Sequence, residues 1–135
     1  MGAWSHEAFG NDTAGDWAYG LADCKDMSYI EGAIDAVLGE NDYLDSDVGS
    51  EAVAAIEVLA KMLGQGTQAD AYTETADIWV AAMATVPSAQ LREKAVRAID
   101  RITADESELA ELWSDSDDSD GWTATLAKIR KIMPA

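Results

Sequence analysis

The sequence predicts an all-α domain. Apolar residues recur at i, i+3, i+4 and i+7 along nearly the whole chain, and no segment keeps the strict alternation of a strand. Of the 135 residues, 48% are hydrophobic and 26% are charged, which is typical of a packed chain and not of a disordered one. We therefore expect one domain over residues 1–135, a compact bundle or array of about six to seven helices.

Two helices are predicted in the first third of the chain. The first begins after a cap at Asp12 or Thr13. The second begins with a capping box of Ser28 and Glu31 and stops at Gly39. Their inward residues are predicted to be Ala14, Trp17, Ala18 and Leu21, then Ile30, Ala33, Ile34, Val37 and Leu38.

The third helix is predicted from about Ser50 to Leu63, with Gly64 beyond its end. Its Ala-rich face permits close contact with other helices, and its inward residues are predicted to be Ala52, Ile56, Leu59, Ala60 and Leu63. We expect a short irregular piece at 43–49 before it and a polar loop at 65–73 after it.

Four more helices are predicted in the second half. A stripe ends at Pro87, and Ser88 then caps the fifth helix. A short sixth helix follows, and the last precedes Pro134. The four stripes are Ile78, Trp79, Ala82, Met83 and Val86; Leu91, Ala95, Ala98, Ile99 and Ile102; Leu109, Leu112 and Trp113; and Trp122, Leu126, Ile129 and Met133.

The N-terminal residues 1–12 are predicted to form a staple segment on a helical body of residues 13–133. Trp4 and Phe9 precede the first helix, and we expect both to fold back onto the bundle. Most other Trp residues occupy inward helical positions, which favours core anchors over a binding platform. The lone Cys24 is expected to be a buried or half-buried residue of a helical stretch.

Charge is the most distinctive feature of the composition. Lys and Arg total 9 against 26 Asp and Glu, a net charge of −17. The electrostatic field of this negative charge repels nucleic acid and anionic membranes and attracts a basic protein surface. Two runs contain acids without any Lys or Arg among them: Asp35, Glu40, Asp42, Asp45, Asp47 and Glu51; and Asp105, Glu106, Glu108, Glu111, Asp115, Asp117, Asp118 and Asp120. Each run fits either a solvated face near helix starts or a surface for a basic partner.

No motif in the sequence indicates catalysis, a cofactor or a metal. A phosphate-binding Gly loop, an HExxH run and paired Cys residues are all missing, so we expect no enzyme activity and no cofactor. The segment 115–121 places acids before a Gly, as the start of a calcium-binding loop does. However, Gly121 and the residue at position twelve do not fall where a calcium-binding loop requires a Gly and a Glu. We therefore predict a solvated loop in which Ser119 or Asp120 caps the last helix. A hydrolase would need the fold to bring His6 together with Cys24 or with carboxylates.

The chain has no basic leader and no apolar run of membrane-spanning length, so the cytoplasm is the expected compartment.

Two patches of sequence resemble the bacterial domain of unknown function 4259 family. The first is Gly2-Ala3-Trp4, Phe9-Gly10-Asn11-Asp12, Ala14 and Asp16-Trp17; the second is 107–113, followed by Trp122 and Leu126. Between them, 51–64 has the Ala-rich helix ending in Gly that is typical of such proteins. Members usually have Gly-x-Gly after the first Trp, where Ser5-His6-Glu7 stands here, so the path of this loop is expected to differ.

The resemblance implies no established chemistry, but small acidic proteins similar to these occur as immunity partners of bacterial toxins. We therefore expect a non-catalytic inhibitor that occludes a cognate toxin domain. The predicted partner-binding residues are Asp42, Tyr43, Asp45, Asp47, Asp115, Asp117, Asp118 and Asp120. The alternative is a regulatory or structural interaction module, with a homodimer as one form. The third hypothesis is a small hydrolase or metal-dependent enzyme that uses Asp and Glu.

Overall fold

The computed structural model describes residues 4–134 and is all-α over that range. Gly2 and Ala3, which belong to the first sequence patch, lie outside the described residues, as do Met1 and Ala135. None of the described helices has the length and apolar character needed to cross a membrane. The elements are α1 (Asp12–Ala22), α2 (Ser28–Leu38), α3 (Ser46–Met62), a short 3-10 helix (Ala71–Thr73), α4 (Glu74–Met83), α5 (Ala89–Ile102), α6 (Glu108–Ser114) and α7 (Ser119–Ile132).

Helix α3 is the centre of the bundle. It packs against α1, α2, α4, α5, α6 and α7, and every residue in 52–60 is buried. The prediction that α3 begins near Ser50 is wrong by four residues, because Asp45 accepts a hydrogen bond from the Asp47 amide and caps the helix at Ser46. Gly49 allows the close approach of α6, since a Cβ there would lie 3.3 Å from Leu109 Cδ2.

Three predicted helix caps are wrong by one or two residues. Asn11, not Asp12 or Thr13, caps α1 by accepting a hydrogen bond from the Ala14 amide at 2.8 Å. At α2 the capping box does not form, because the Ser28 hydroxyl donates to Asp26 at 2.6 Å. Helix α7 begins at Ser119 after Asp118, without a side-chain cap from Ser119 or Asp120.

The predicted inward face of α4 is also partly wrong. Ile78 is 64% exposed and Val86 is 66% exposed, and the helix ends at Met83 instead of continuing to Pro87. Helix α4 packs on α1 and α3 through Ala76 and Trp79, whose indole N–H donates to the Cys24 carbonyl at 2.9 Å. Cys24 itself follows α1 and is half-buried.

The fifth, sixth and last predicted helices are confirmed, whereas the predicted polar loop at 65–73 ends in the 3-10 helix. Ser88 caps α5 through the Leu91 amide, and the five predicted apolar residues of α5 and four of the C-terminal helix are buried. Gly64 follows α3 in the left-handed conformation at φ +76°, which closes the helix end. Leu63 and Leu112 are less buried than their stripes predict.

The N-terminal segment folds back onto the bundle as predicted, but its two aromatic residues differ. Phe9 is 1% exposed, and its amide donates to Gln68 Oε1 at 2.8 Å. Trp4 is 49% exposed and contacts Tyr72 with ring centroids 5.1 Å apart. Phe9 is therefore the core anchor, whereas Trp4 lies on the surface.

Candidate functional site

A short parallel bridge joins two acidic segments that are distant in the sequence. The Leu44 amide donates to the Glu106 carbonyl at 2.8 Å, and the Glu108 amide donates to the Leu44 carbonyl at 2.9 Å. The Leu44 side chain is 1% exposed and belongs to the core, so it fixes the position of the bridge. The link before α3 and the link before α6 consequently lie side by side.

Arg101 of α5 forms hydrogen bonds with both of these segments. Its guanidinium donates to the backbone carbonyls of Asp42 at 2.6 Å, Asp105 at 3.3 Å and Glu106 at 3.2 Å. Glu106 has φ +61°, a conformation that costs free energy for any residue but glycine, and its carbonyl accepts from both Arg101 and Leu44. Arg101 thus donates to backbone oxygens and, within residues 4–134, forms no ion pair with the neighbouring carboxylates.

The bridge and Arg101 create a surface that we call the acidic face. None of its carboxylates forms an ion pair with a Lys or Arg in the part of the chain that the structure describes. Most are exposed, and Glu51 and Glu108 are half-buried. The acidic face consists of Asp42, Asp45, Asp47 and Glu51 from one segment and Asp105, Glu106, Glu108 and Glu111 from the other.

Two carboxyl groups of the acidic face, Glu51 and Glu108, have pKa values shifted in opposite directions. Burial and then the charges of Asp47 and Asp45 raise the pKa of Glu51. Glu108 behaves in the opposite way, because its carboxylate accepts the Ser46 amide at 2.9 Å and this bond lowers its pKa. Glu108 is therefore held ionised, as a side-chain link from α6 to the start of α3.

Tyr43 lies on the acidic face, and its side chain is exposed. Partial desolvation, hydrogen bonding with Glu111 and the charges of Glu111, Glu108 and Glu106 raise the pKa of Tyr43 to about 12. The phenol is therefore neutral at physiological pH and offers an aromatic ring among carboxylates. Leu112, 37% exposed, adds apolar surface on α6.

The predicted partner-binding residues separate into two groups. Asp42, Tyr43, Asp45 and Asp47 lie on the acidic face, whereas the residues of 115–120 lie beyond the other end of α6. That helix has seven residues, which makes it about 10 Å long. The acids that join the first group are those of 105–111, and no local pattern in the sequence indicates this pairing across about sixty residues of chain.

Within the second group, Asp118 has a partner in the N-terminal segment. His6 Nδ1 lies 2.6 Å from Asp118 Oδ2. The adjoining cavity, lined by Asn11, Ser50 and Trp122 among others, has a volume of only about 10 Å³, which is room for about one water molecule. The described residues contain no cluster of three or more His, Cys, Asp or Glu side chains arranged to hold a metal ion.

Several basic side chains elsewhere are engaged within the chain. Lys94 binds Glu31 at 2.9 Å and Asp35 at 2.6 Å, so part of the first acidic run is neutralised by α5. Arg130 binds Asp100 at 2.7 Å, and Lys61 binds Asp77 at 2.8 Å. Arg97 of α5 is exposed and forms no ion pair within residues 4–134.

Replacing Arg101 by alanine is expected to lower the free energy of unfolding by about 2 kcal/mol, because several charge-assisted hydrogen bonds are lost. Arg97→Ala removes the same charge from an exposed position of the same helix and is expected to change it by less than about 0.5 kcal/mol. Urea unfolding of both variants measures the difference. Equal losses would mean that Arg101 acts through net charge and not through its bonds to the two acidic segments.

Comparison with known proteins places the chain in one family. The model of the family called domain of unknown function DUF4259 matches residues 2–125. That range includes all of the acidic face and both sequence patches except Leu126, so the chain belongs to this family. No curated protein and no solved structure matched the chain.

Proposed function

We propose that this member of the domain of unknown function 4259 family is an immunity protein, which binds a cognate bacterial toxin domain through its acidic face and blocks the toxin's active cleft. The observation that carries the proposal is the acidic face itself. Two segments bring eight carboxylates together, and no Lys or Arg in residues 4–134 forms an ion pair with them. A partner that supplies cations would relieve the repulsion between these groups.

Rigidity also favours recognition of a protein. The Leu44 bridge, the Arg101 contacts and the bond from Ser46 to Glu108 hold the acidic face in one geometry before a partner arrives. Preorganisation reduces the entropy that binding costs. Carboxylates held in this way attract a basic surface at long range and slow the approach of acidic ones.

An exposed aromatic residue within a charged surface supplies the buried contact that tight binding needs. Tyr43 is 46% exposed and stands beside Glu108 and Glu111. Tyrosine is enriched among residues that dominate binding energies, because its ring buries area while its hydroxyl bonds to polar groups. We propose Tyr43 as the anchor and the surrounding carboxylates as the groups that select the partner.

If the toxin is a nuclease, the carboxylates take the positions of nucleic-acid phosphates. A nuclease cleft presents Lys and Arg to a row of negative charges. Asp42, Asp45 and Asp47 lie within six consecutive residues of one acidic segment. This array would compete with the substrate by filling the cleft, without any catalytic step on the inhibitor.

The test begins with affinity capture of the tagged chain from its native cells, followed by expression of each captured protein with and without this chain in a growth assay. We expect a basic domain that stops growth alone and is neutralised by co-expression. Recovery of the chain alone, or of partners that never impair growth, would refute the immunity function and favour a regulatory or structural module.

Charge-neutral variants locate the binding surface once the partner is purified. The triple variant Asp42→Asn, Asp45→Asn, Asp47→Asn is expected to slow association by about tenfold at low salt and to weaken its salt dependence. The matched variant Asp115→Asn, Asp117→Asn, Asp120→Asn removes the same charge beyond α6. Stopped-flow association rates at several salt concentrations compare them. A larger effect of the second variant would show that the partner binds at 115–120 and not at the acidic face.

A further inference from the structure

An aromatic pocket lies between the N-terminal segment, α1 and the 3-10 helix, apart from the acidic face. Its volume is about 160 Å³. Trp4, Tyr19 and Tyr72 line it and are 49%, 71% and 57% exposed. Phe9 and Ala18 also line it and are buried.

One buried side chain sets the positions of two of these rings. Gln68 Oε1 accepts the Phe9 amide at 2.8 Å, and Gln68 Nε2 donates to Asp70 Oδ2 at 3.1 Å. Asp70 in turn accepts the Tyr72 amide at 2.9 Å. Gln68 is 4% exposed, so the N-terminal loop and the 3-10 helix are connected through a fixed group.

The loop that carries Trp4 is closed by a close backbone approach. The Trp4 amide donates to the Gly10 carbonyl at 2.9 Å. A Cβ on Gly10 would lie 2.7 Å from the Ser5 carbonyl oxygen, a separation that would force the loop apart. Trp4 therefore reaches Tyr72 because glycine stands at position 10, within the Phe9-Gly10-Asn11-Asp12 patch.

Charge around the pocket favours a cation. Among the described residues, no Lys or Arg lines the pocket. Asp16 is exposed three residues before Tyr19 on α1, which puts the two side chains on one face of that helix. Glu74 is exposed two residues after Tyr72, and neither acid forms an ion pair in the described part of the chain. Electron-rich ring faces attract an organic cation more than a neutral group of the same shape.

We infer that the pocket of Trp4, Tyr19 and Tyr72 binds an organic cation, an alkylated ammonium or a guanidinium head group. The rings contact the cation through their faces, and Asp16 and Glu74 raise its local concentration. The Trp4 and Tyr72 rings meet at 44°, so they are not stacked flat against each other and both contribute to the pocket wall. This site is independent of the acidic face and requires no toxin.

The test is an NMR titration of the full chain that follows the Trp4 indole N–H resonance, assigned with Trp4→Phe. Choline is compared with its neutral isostere 3,3-dimethyl-1-butanol, and sodium chloride controls for ionic strength. We expect saturable shifts with choline and about tenfold weaker binding of the alcohol. Equal binding of the two, or shifts no larger than those caused by sodium chloride, would overturn the inference.

Variants confirm the location of the site. Tyr19→Leu and Tyr72→Leu are expected to weaken choline binding about fivefold or more, whereas Tyr43→Leu, an exposed Tyr on the acidic face, leaves it unchanged. All three replace exposed rings, so far-UV circular dichroism should remain that of the parent chain. If Tyr43→Leu weakens binding as much as Tyr72→Leu does, the cation binds to exposed aromatic rings in general and the pocket assignment is wrong.

A third probe, methylguanidinium, distinguishes the source of the cation. Tighter binding of methylguanidinium than of choline indicates an arginine side chain of a partner. Tighter binding of choline indicates a small alkylated ammonium compound. Either result supports the cation site if both probes bind more tightly than the neutral isostere, and binding of both no tighter than the isostere would overturn it.

Discussion

Replacing Glu57 by alanine is expected to lower the free energy of unfolding by about 3 kcal/mol and the Tm by about 10 °C. Glu57 lies in the central helix α3 and its side chain is fully buried. Its carboxylate accepts the amides of Thr67 at 2.8 Å and Gln68 at 3.0 Å, and the Thr67 hydroxyl at 2.7 Å. Alanine leaves these donors without an acceptor, which is the costly way to lose a buried hydrogen bond.

Glu57→Gln is the matched control, and we expect it to change the free energy of unfolding by about 1 kcal/mol or less. The amide oxygen can accept both backbone N–H groups, and the amide nitrogen can donate to the Thr67 hydroxyl oxygen. Lys61 keeps its partner Asp77 at 2.8 Å in both variants. Urea unfolding of both variants measures the effects. A loss in the glutamine variant as large as in the alanine variant would show that the charge, and not the acceptors, stabilises the loop.

The pH dependence of stability separates the same two causes. Burial raises the pKa of Glu57, although the bonds from Thr67 and Gln68 and the charge of Lys61 oppose this. A carboxyl group with a raised folded pKa binds its proton more tightly in the folded state. Its contribution is fully present below the ordinary value of 4.5 and is lost as the pH rises through the folded pKa. The parent chain should therefore lose stability relative to Glu57→Gln over that window.

Glu57 also connects the core to the aromatic pocket. Its carboxylate binds the Gln68 amide, and the Gln68 side chain binds Phe9 and Asp70. The buried acid thus orders the loop after α3, and this loop positions Trp4 and Tyr72. One buried carboxyl group therefore serves both the stability of the bundle and the shape of a surface site.

The sequence predicted the helices best where a polar face contrasts with an apolar one. Helix α5 shows this contrast clearly, and its cap Ser88 and its inward residues are as predicted. Helix α3 is apolar nearly all round, so periodicity could not locate its start or indicate that Glu57 is buried. A Glu in a helix is ordinarily solvated. Only the apolar residues on both sides of Glu57, Ile56 and Val58, indicate that this one is buried.

The acidic face was predictable in composition but not in arrangement. The runs of Asp and Glu are visible in the sequence, and they predict Asp42, Asp45 and Asp47 as partner-binding residues. Their neighbours in space are Glu106 and Glu108, brought there by a single bridge and by hydrogen bonds to backbone carbonyls. Such contacts have no periodicity and depend on side chains far apart in the chain, so no local rule detects them.

Leu44→Ala is expected to lower the free energy of unfolding by about 3 kcal/mol, because a fully buried leucine leaves a cavity when truncated. Leu112→Ala removes the same atoms from a partly exposed position of α6 and is expected to cost less than about 1 kcal/mol. Urea unfolding measures both losses. Equal losses would mean that Leu44 is not the core anchor of the bridge.

The same variant tests whether the core builds the acidic face. The Leu44 backbone bonds to Glu106 and Glu108, so a loosened side chain should also loosen the bridge. We expect faster hydrogen exchange at the amides of Leu44 and Glu108 in Leu44→Ala, and unchanged exchange within α5 away from Arg101. Unchanged exchange at both bridge amides would show that Arg101 alone holds the two segments together. Faster exchange would make the buried leucine the residue through which the hydrophobic core sets the spacing of charges that a partner meets.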